Sequence, residues 1–316
     1  MPHRPPSAAP RFVRLLATGA GAALLLTTAI TGPPAAAMPS AAPAMAPVRP
    51  VMAPQVPNGG PDRDFDGDGV ADVLAIGGTG ELLLYRGTEA GPLRAGTRVG
   101  NGWANFDLVF AVGDFSGDGR PDVMARDLGG DLFLYRGDGN GGWLGGGRVG
   151  YGWQGFTAIL GAGDFNGDGT SDVIGRDASG RLLLYPGNGA GGWLPTTQIG
   201  SGWGRLKFLS AAGDMDFDGA ADVLAVAYGE VEGPAPGCGS GADLLLYSGT
   251  GRGGFARSGA IGSGWCPFNT VMGGGDRVLI ARDASGTLLR YVRTGPASWA
   301  SPVVVGTGWS NLRIVT

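Results

Sequence analysis

The sequence predicts an all-β fold, a five-bladed β-propeller of four-stranded repeats about fifty residues long, its ring closed by the C-terminal strand. Three observations point there. A nine-residue acidic loop recurs with its first Asp at positions 64, 114, 164 and 214. A Gly-Trp pair recurs at Trp103, Trp153, Trp203, Trp265 and Trp309, and a strand Tyr at Tyr85, Tyr135, Tyr185, Tyr247 and Tyr291. Both series step by 50, 50, 62 and 44 residues, so two separate marks count the same five units. Lastly, the first unit has no apolar strand before its loop, whereas residues 312–315 start a strand that no unit follows.

From the N-terminus, residues 1–37 read as a general secretory signal peptide. Arg4, Arg11 and Arg14 precede an apolar stretch at 15–30, and the small residues Ala35, Ala36 and Ala37 place cleavage near Ala37. The apolar stretch is short for a membrane span and no stop-transfer pattern follows, so the expected product is secreted with no membrane span. Residues 38–60 are Pro- and Ala-rich without apolar periodicity and read as a linker; 61–316 is the propeller. The 64 Gly and 22 Pro of the chain would suggest disorder if they had no period, but here they mark turns of a repeat. Net charge is −4, and removing the leader makes the chain more acidic, which argues against a nucleic-acid partner. His3, the one histidine, leaves with the leader and takes with it the residue most acid–base, triad and zinc chemistry uses.

Each unit then runs the same course. After the loop comes a strand such as 122–125, a Gly turn at 127–130, and a second strand at 132–135. A Gly-rich loop ending at Trp143 leads to a third strand near 147–150, and after Trp153 an apolar strand at 157–160 enters the next loop. Runs such as Leu182-Leu183-Leu184-Tyr185 are apolar without alternation, as expected of a sheet covered on both faces. The long 62-residue step holds an insertion around 230–241, and the short 44-residue step reflects a lost loop: residues 273–276 replace the acidic motif in unit five. The two mismatched ends predict that residues 312–315 pair beside 70–76 and complete blade one.

The loops carry the chemistry. In Asp164-Phe165-Asn166-Gly167-Asp168-Gly169-Thr170-Ser171-Asp172 the side chains of Asp164, Asn166, Asp168 and Asp172 stand at positions one, three, five and nine, with Gly at six for a sharp turn. The same places are held by Asp64, Asp66, Asp68 and Asp72, by Asp114, Ser116, Asp118 and Asp122, and by Asp214, Asp216, Asp218 and Asp222. Converging oxygens repel one another unless a cation sits among them, and hard oxygen ligands suit calcium, up to four ions here. Acidic turns are otherwise ordinary, but they do not keep a fifty-residue register. The run Gly-Asp-Phe-Asn-Gly-Asp-Gly followed by Ser-Asp-Val at 163–173 resembles the FG-GAP/VCBS-type repeats of integrin-like β-propellers, over about 62–316. That resemblance implies a loop between the two innermost strands of each blade, one calcium per loop, and a carbonyl ligand at position seven from Val70, Arg120, Thr170 and Ala220. It also implies adhesion proteins, lectins and non-catalytic appendages of secreted enzymes as the range of functions.

Other features leave alternatives open. The tryptophans Trp103, Trp153, Trp203, Trp265 and Trp309 either pack between blades or present stacking faces to a glycan; Trp143, Trp193 and Phe255 recur in the outer loops. Cys238 and Cys266, alone in an exported chain, are expected to pair in a disulfide. Arg126-Asp127, Arg176-Asp177 and Arg282-Asp283 recur at strand ends, where turn bonding and pairing between blades accounts for them. Glu81, Glu89, Glu230 and Glu232 form no readable carboxylate pair for glycoside hydrolysis. The sequence therefore reads as a monomeric binding or adhesion module for an extracellular protein or glycan, with a multivalent lectin as one alternative and a hydrolase with an unrecognised carboxylate site as another.

Overall fold

A computed structural model of the chain describes residues 62–227, 243–275, 277–296 and 298–316. The expected leader (1–37) and linker (38–60), and the insertion carrying Cys238, lie outside them. The described chain forms five antiparallel sheets in a ring. Blade one holds β1 (Val73–Ile76), β2 (Leu82–Tyr85) and β3 (Thr97–Gly100). Blade two holds β4 (Phe106–Gly113), β5 (Asp122–Asp127), β6 (Leu132–Gly137) and β7 (Trp143–Gly150). Blade three holds β8 (Phe156–Gly163), β9 (Asp172–Asp177), β10 (Leu182–Tyr185) and β11 (Thr197–Gly200). Blade four holds β12 (Leu206–Gly213), β13 (Asp222–Ala227), β14 (Asp243–Gly249) and β15 (Phe255–Ser263). Blade five holds β16 (Thr270–Gly273), β17 (Val278–Arg282) and β18 (Leu288–Gly295), with an outer edge divided between β19 (Ser298–Trp299) and β20 (Val303–Gly306).

The last strand, β21 (Arg313–Ile314), lies antiparallel beside β1 with Ile314 opposite Ala75 and Arg313 opposite Ile76, as the two mismatched ends required. Blade one thus takes its inner strand from the C-terminus. The Val315 amide continues the pairing by donating to Leu74 O at 2.9 Å, and the buried Arg63 guanidinium donates to Val315 O at 3.2 Å. Beginning and end of the ring are bonded to each other.

The core is five apolar clusters, one at each interface between neighbouring blades. Each is built round a connector Trp. Trp103 stacks on Tyr135 with ring centroids 4.7 Å apart, Trp153 on Tyr185 at 4.6 Å, Trp203 on Tyr247 at 4.2 Å, Trp265 on Tyr291 at 4.8 Å and Trp309 on Tyr85 at 4.2 Å. The two repeats that counted the units are therefore the two halves of one contact. All five indoles are between 3 and 7 % exposed, so they pack between blades and offer no face to a sugar. The Gly-x-Gly-Trp signature follows from this packing. A Cβ on Gly150 or Gly200 would sit 2.4 or 2.6 Å from the indole nitrogen, and the glycine just before each Trp turns the chain at positive φ, 79° at Gly152.

A cation holds every connector. Arg126 donates to Trp153 O and Phe156 O at 2.8 and 3.0 Å, and Arg176 to Trp203 O and Leu206 O at 3.0 and 2.7 Å. Arg282 does the same for Trp309 O and Leu312 O. Blades one and four have Ile76 and Val226 at that strand position. There the cation comes from the inner strand instead. Arg313 donates to Phe106 O and Trp103 O at 2.6 and 3.2 Å, and Lys207 to Cys266 O and Phe268 O at 3.1 and 3.2 Å. Among the described residues, no helix is long and apolar enough to cross a membrane.

Candidate functional site

Each acidic loop joins the two inner strands of its blade, and its first residue organises it. The Asp64 carboxylate accepts the amides of Gly67, Asp68 and Gly69 at 2.8 to 3.0 Å; Asp114 and Asp164 accept the equivalent three. Asp214 accepts those of Asp218 and Gly219 at 3.1 Å. The fifth residue caps the seventh: the amides of Val70, Arg120, Thr170 and Ala220 donate to Asp68, Asp118, Asp168 and Asp218. The ninth residue anchors the loop to the blade. Asp72, Asp122, Asp172 and Asp222 are fully buried, with one oxygen on the amide of the loop's second residue and the other on Gly87, Gly137, Gly187 or Gly249 at or just past the end of β2, β6, β10 or β14. Burial pushes the Asp122 carboxyl up to about 6 and those of Asp72, Asp172 and Asp222 up to about 7, only partly offset by these amides.

Two of the four loops bring their carboxylates together as a hard divalent cation would require. Carboxylate oxygens of Asp64, Asp66 and Asp72 lie within 4.8 Å of one another, as do those of Asp214, Asp216 and Asp218. Among the described residues, two buried third-position atoms, Ser116 Oγ and Asp216 Oδ1, meet no hydrogen-bond partner within bonding geometry. An oxygen in that state lacks a hydrogen-bond donor, and an all-oxygen set with carboxylates is what calcium takes. The third position also shows what counting carboxylates misses. Arg86 donates to Asp66 at 2.5 Å and Arg257 to Asp216 at 2.7 Å, so each of the two loops with an acid there carries an arginine against it. In loop three the uncharged Asn166 instead donates to Asp168 at 2.9 Å.

The second residue points the other way, into the interface. Phe65, Phe115, Phe165 and Met215 are buried, and the first three meet Trp143, Trp193 and Phe255 of the next blade. Their carbonyls accept the amides of Gly141, Gly191 and Gly253, whereas Met215 O accepts Arg293 of blade five at 2.8 Å. Each loop is thereby tied to the following blade as well as to its own.

Two clefts open between blades. One, about 400 Å³, lies between blades two and three over Trp153, Tyr185 and Trp193, with Tyr151 exposed at its rim. The other, about 440 Å³, lies between blades four and five beside loop four. Cys266 is buried; its expected partner Cys238 falls outside the described residues. Lys207, Arg313, the two arginines on the loops and the second cleft were not singled out in the sequence. Aligning the units would have found the first two, since each cation stands where the neighbouring strand has lost its Arg.

A sequence profile described as an FG-GAP-like repeat matches three times, at 64–125, 114–175 and 164–225. No curated protein matches the chain. Among solved structures, a lectin from Agrocybe aegerita, described as recognising non-reducing terminal N-acetylglucosamine, aligns at a TM-score of 0.45 with 17 % identity. The alignment covers 80 % of this chain and 69 % of the lectin. The BP39L lectin from Burkholderia pseudomallei aligns at 0.43 with 18 % identity over 78 % of this chain and 69 % of its own.

Proposed function

The chain belongs to the FG-GAP-like repeat family, and from that premise we propose that it is a secreted, calcium-stabilised, non-catalytic binding module for an extracellular glycan or protein. The observation that carries this reading is the pair of ligand-sized clefts between rigid blades, each with an exposed aromatic ring, Tyr151 or Phe217, beside polar groups. The buried carboxyls with raised proton affinity, the kind an acid catalyst needs, speak for structure instead. Asp72, Asp122, Asp172 and Asp222 have both oxygens on backbone amides beneath their loops. Calcium in the four loops would neutralise the clustered carboxylates and satisfy Ser116 Oγ and Asp216 Oδ1. Export would also favour a Cys238–Cys266 disulfide, which intact-mass measurement under non-reducing conditions detects as the loss of two hydrogen atoms, about 2 Da.

The test is a glycan array probed with the exported protein in calcium and after metal stripping, alongside a polysaccharide panel assayed for new reducing ends. Captured ligand without turnover is the expected result. Release of reducing ends that persists through purification to homogeneity would overturn the reading in favour of a hydrolase.

A further inference from the structure

Two departures from the repeat meet in the cleft between blades four and five. Loop four has Phe217 at its fourth position, where the other loops have Gly67, Gly117 and Gly167. Those glycines take φ of 78°, and a Cβ on them would lie 3.1, 2.0 and 2.3 Å from the carbonyls of Gly139, Gly189 and Gly251 in the next blade. Phe217 keeps the same left-handed conformation at φ 67°, which a bulky residue adopts only under constraint. Blade five also departs from the repeat at the corresponding position. Gly295, four residues before Trp299 as Gly139 is four before Trp143, has its carbonyl taken by Arg293 Nε at 3.0 Å. The second departure is the acidic loop that unit five has lost. The short turn in its place carries Arg277, also at positive φ (59°), whose guanidinium lies 3.5 Å from the centroid of the Phe217 ring.

The result is a cleft of about 440 Å³ with an aromatic wall. Among its described lining residues are three arginines, Arg257, Arg277 and Arg293, and one carboxylate, Asp216. Asp216 is engaged by Arg257 and Ser248 through the same oxygen. Arg293 is buried and spends its donors on the carbonyls of Met215, Gly295 and Pro296. Arg277 is exposed, its carbonyl accepts the Arg293 amide at 2.8 Å, and its guanidinium lies over the Phe217 ring. An exposed guanidinium held on an aromatic face at a cleft is placed to recognise a carboxylate. Phe217, half-exposed, supplies the apolar surface on which a sugar ring rests, and the hydroxyls of Ser258 and Thr294 supply polar partners for its own hydroxyls.

We propose that the cleft between blades four and five binds an acidic sugar residue of the uronic or sialic type, its carboxylate on Arg277 and its ring against Phe217. This assignment rests on the reading of the protein as a binding module and gives that module a site and a ligand class.

The experiment is calorimetric titration of the full exported chain with glucuronic-acid-terminated and sialic-acid-terminated oligosaccharides, and with the same oligosaccharides after carboxyl reduction. Two variants accompany it: Arg277→Gln, at an exposed side chain, and Phe217→Gly, which restores the residue of the other loops. The acid-terminated probe should bind at least about tenfold more tightly than its reduced form, and each variant should weaken it by about tenfold or more. Phe217→Gly should melt at or above the parent temperature, because glycine takes the positive φ without strain, so lost binding cannot be ascribed to unfolding. Equal binding of acid and reduced probes, no binding of either acid probe, or acid binding indifferent to both variants would each overturn the site. So would capture of a polyglutamate peptide in place of the sugars. A neutral glycan or a protein bound elsewhere removes this site but leaves the binding module standing, whereas turnover of the probes strikes the module reading itself.

Discussion

Gly200 and Trp203 depend on each other: the indole nitrogen of Trp203 occupies the space a Cβ on Gly200 would need, and the Trp ring in turn fills the joint with Tyr247 of the next blade. A residue repeated in every unit for this reason belongs to the fold. Emptying one joint removes a buried indole and its stacking partner, and the rigid sheets on either side cannot collapse into the gap. Trp203→Ala should therefore cost about 3–5 kcal/mol in urea unfolding. Tyr151→Ala, at a ring 82 % exposed on the rim of a cleft, should change stability by no more than about 0.5 kcal/mol. If the two variants proved equally harmless, the connector tryptophans would have to be reassigned from packing to ligand contact. The cations show the same logic with more freedom. Arg126, Arg176 and Arg282 reach the connector carbonyls from the second strand, while Lys207 and Arg313 reach theirs from the inner one. The position of the positive charge in space is kept while its position in sequence is not.

At the scale of the loop, the four ninth-position carboxyls set a pH dependence whose sign can be worked out. Their proton affinity is raised by burial, to about 6 for Asp122 and about 7 for Asp72, Asp172 and Asp222, above the ordinary carboxylate value near 4. Between pH 4 and pH 7 the metal-free folded protein thus holds protons that the unfolded chain has released. Stability must fall as pH rises through that window and level off above it. A divalent cation bound in these loops would replace the protons as the neutralising charge and would add stability by binding only the folded loop. Metal-stripped protein should melt several degrees lower at pH 8 than at pH 5. Added calcium should raise the melting temperature at both, with the larger gain at pH 8. Scanning calorimetry on stripped and calcium-loaded samples decides it: a gain that is zero, or no greater at pH 8, would remove calcium from the loops. Carboxylate number alone would not rank the four loops as calcium sites, because Arg86 and Arg257 each offset the extra acid of loops one and four.

For the molecule as a whole, the sequence was most legible where a residue type is demanded once per blade. Tyr85 and Trp309, 224 positions apart, could be matched only because each belonged to a series, and their stacking closes the ring. Four acidic loops were readable because each oxygen has a fixed place in a tight turn. What the series could not show were the exceptions: Phe217 in a glycine position and Arg277 on a shortened turn become a site only through neighbours the pattern does not specify. The closure itself yields the sharpest test. Blade one has no inner strand of its own, and β21 supplies it through pairing with Ala75 and Ile76. The tail makes further bonds on both sides: Arg63 to Val315 O, Ala111 N to Thr316 O, and Arg313 to the connector at Phe106 O. Deleting residues 311–316 removes all of these and leaves β1 with an open, apolar edge facing the ring's interior, a template for another chain. The truncated protein should melt at a lower temperature and elute as dimers or larger species in size-exclusion chromatography with light scattering. A synthetic peptide of residues 309–316 added in excess should restore the monomer and much of the melting temperature, since it offers the same edge its missing strand. A truncated chain that stays monomeric and melts like the parent would show that the ring does not depend on its last strand.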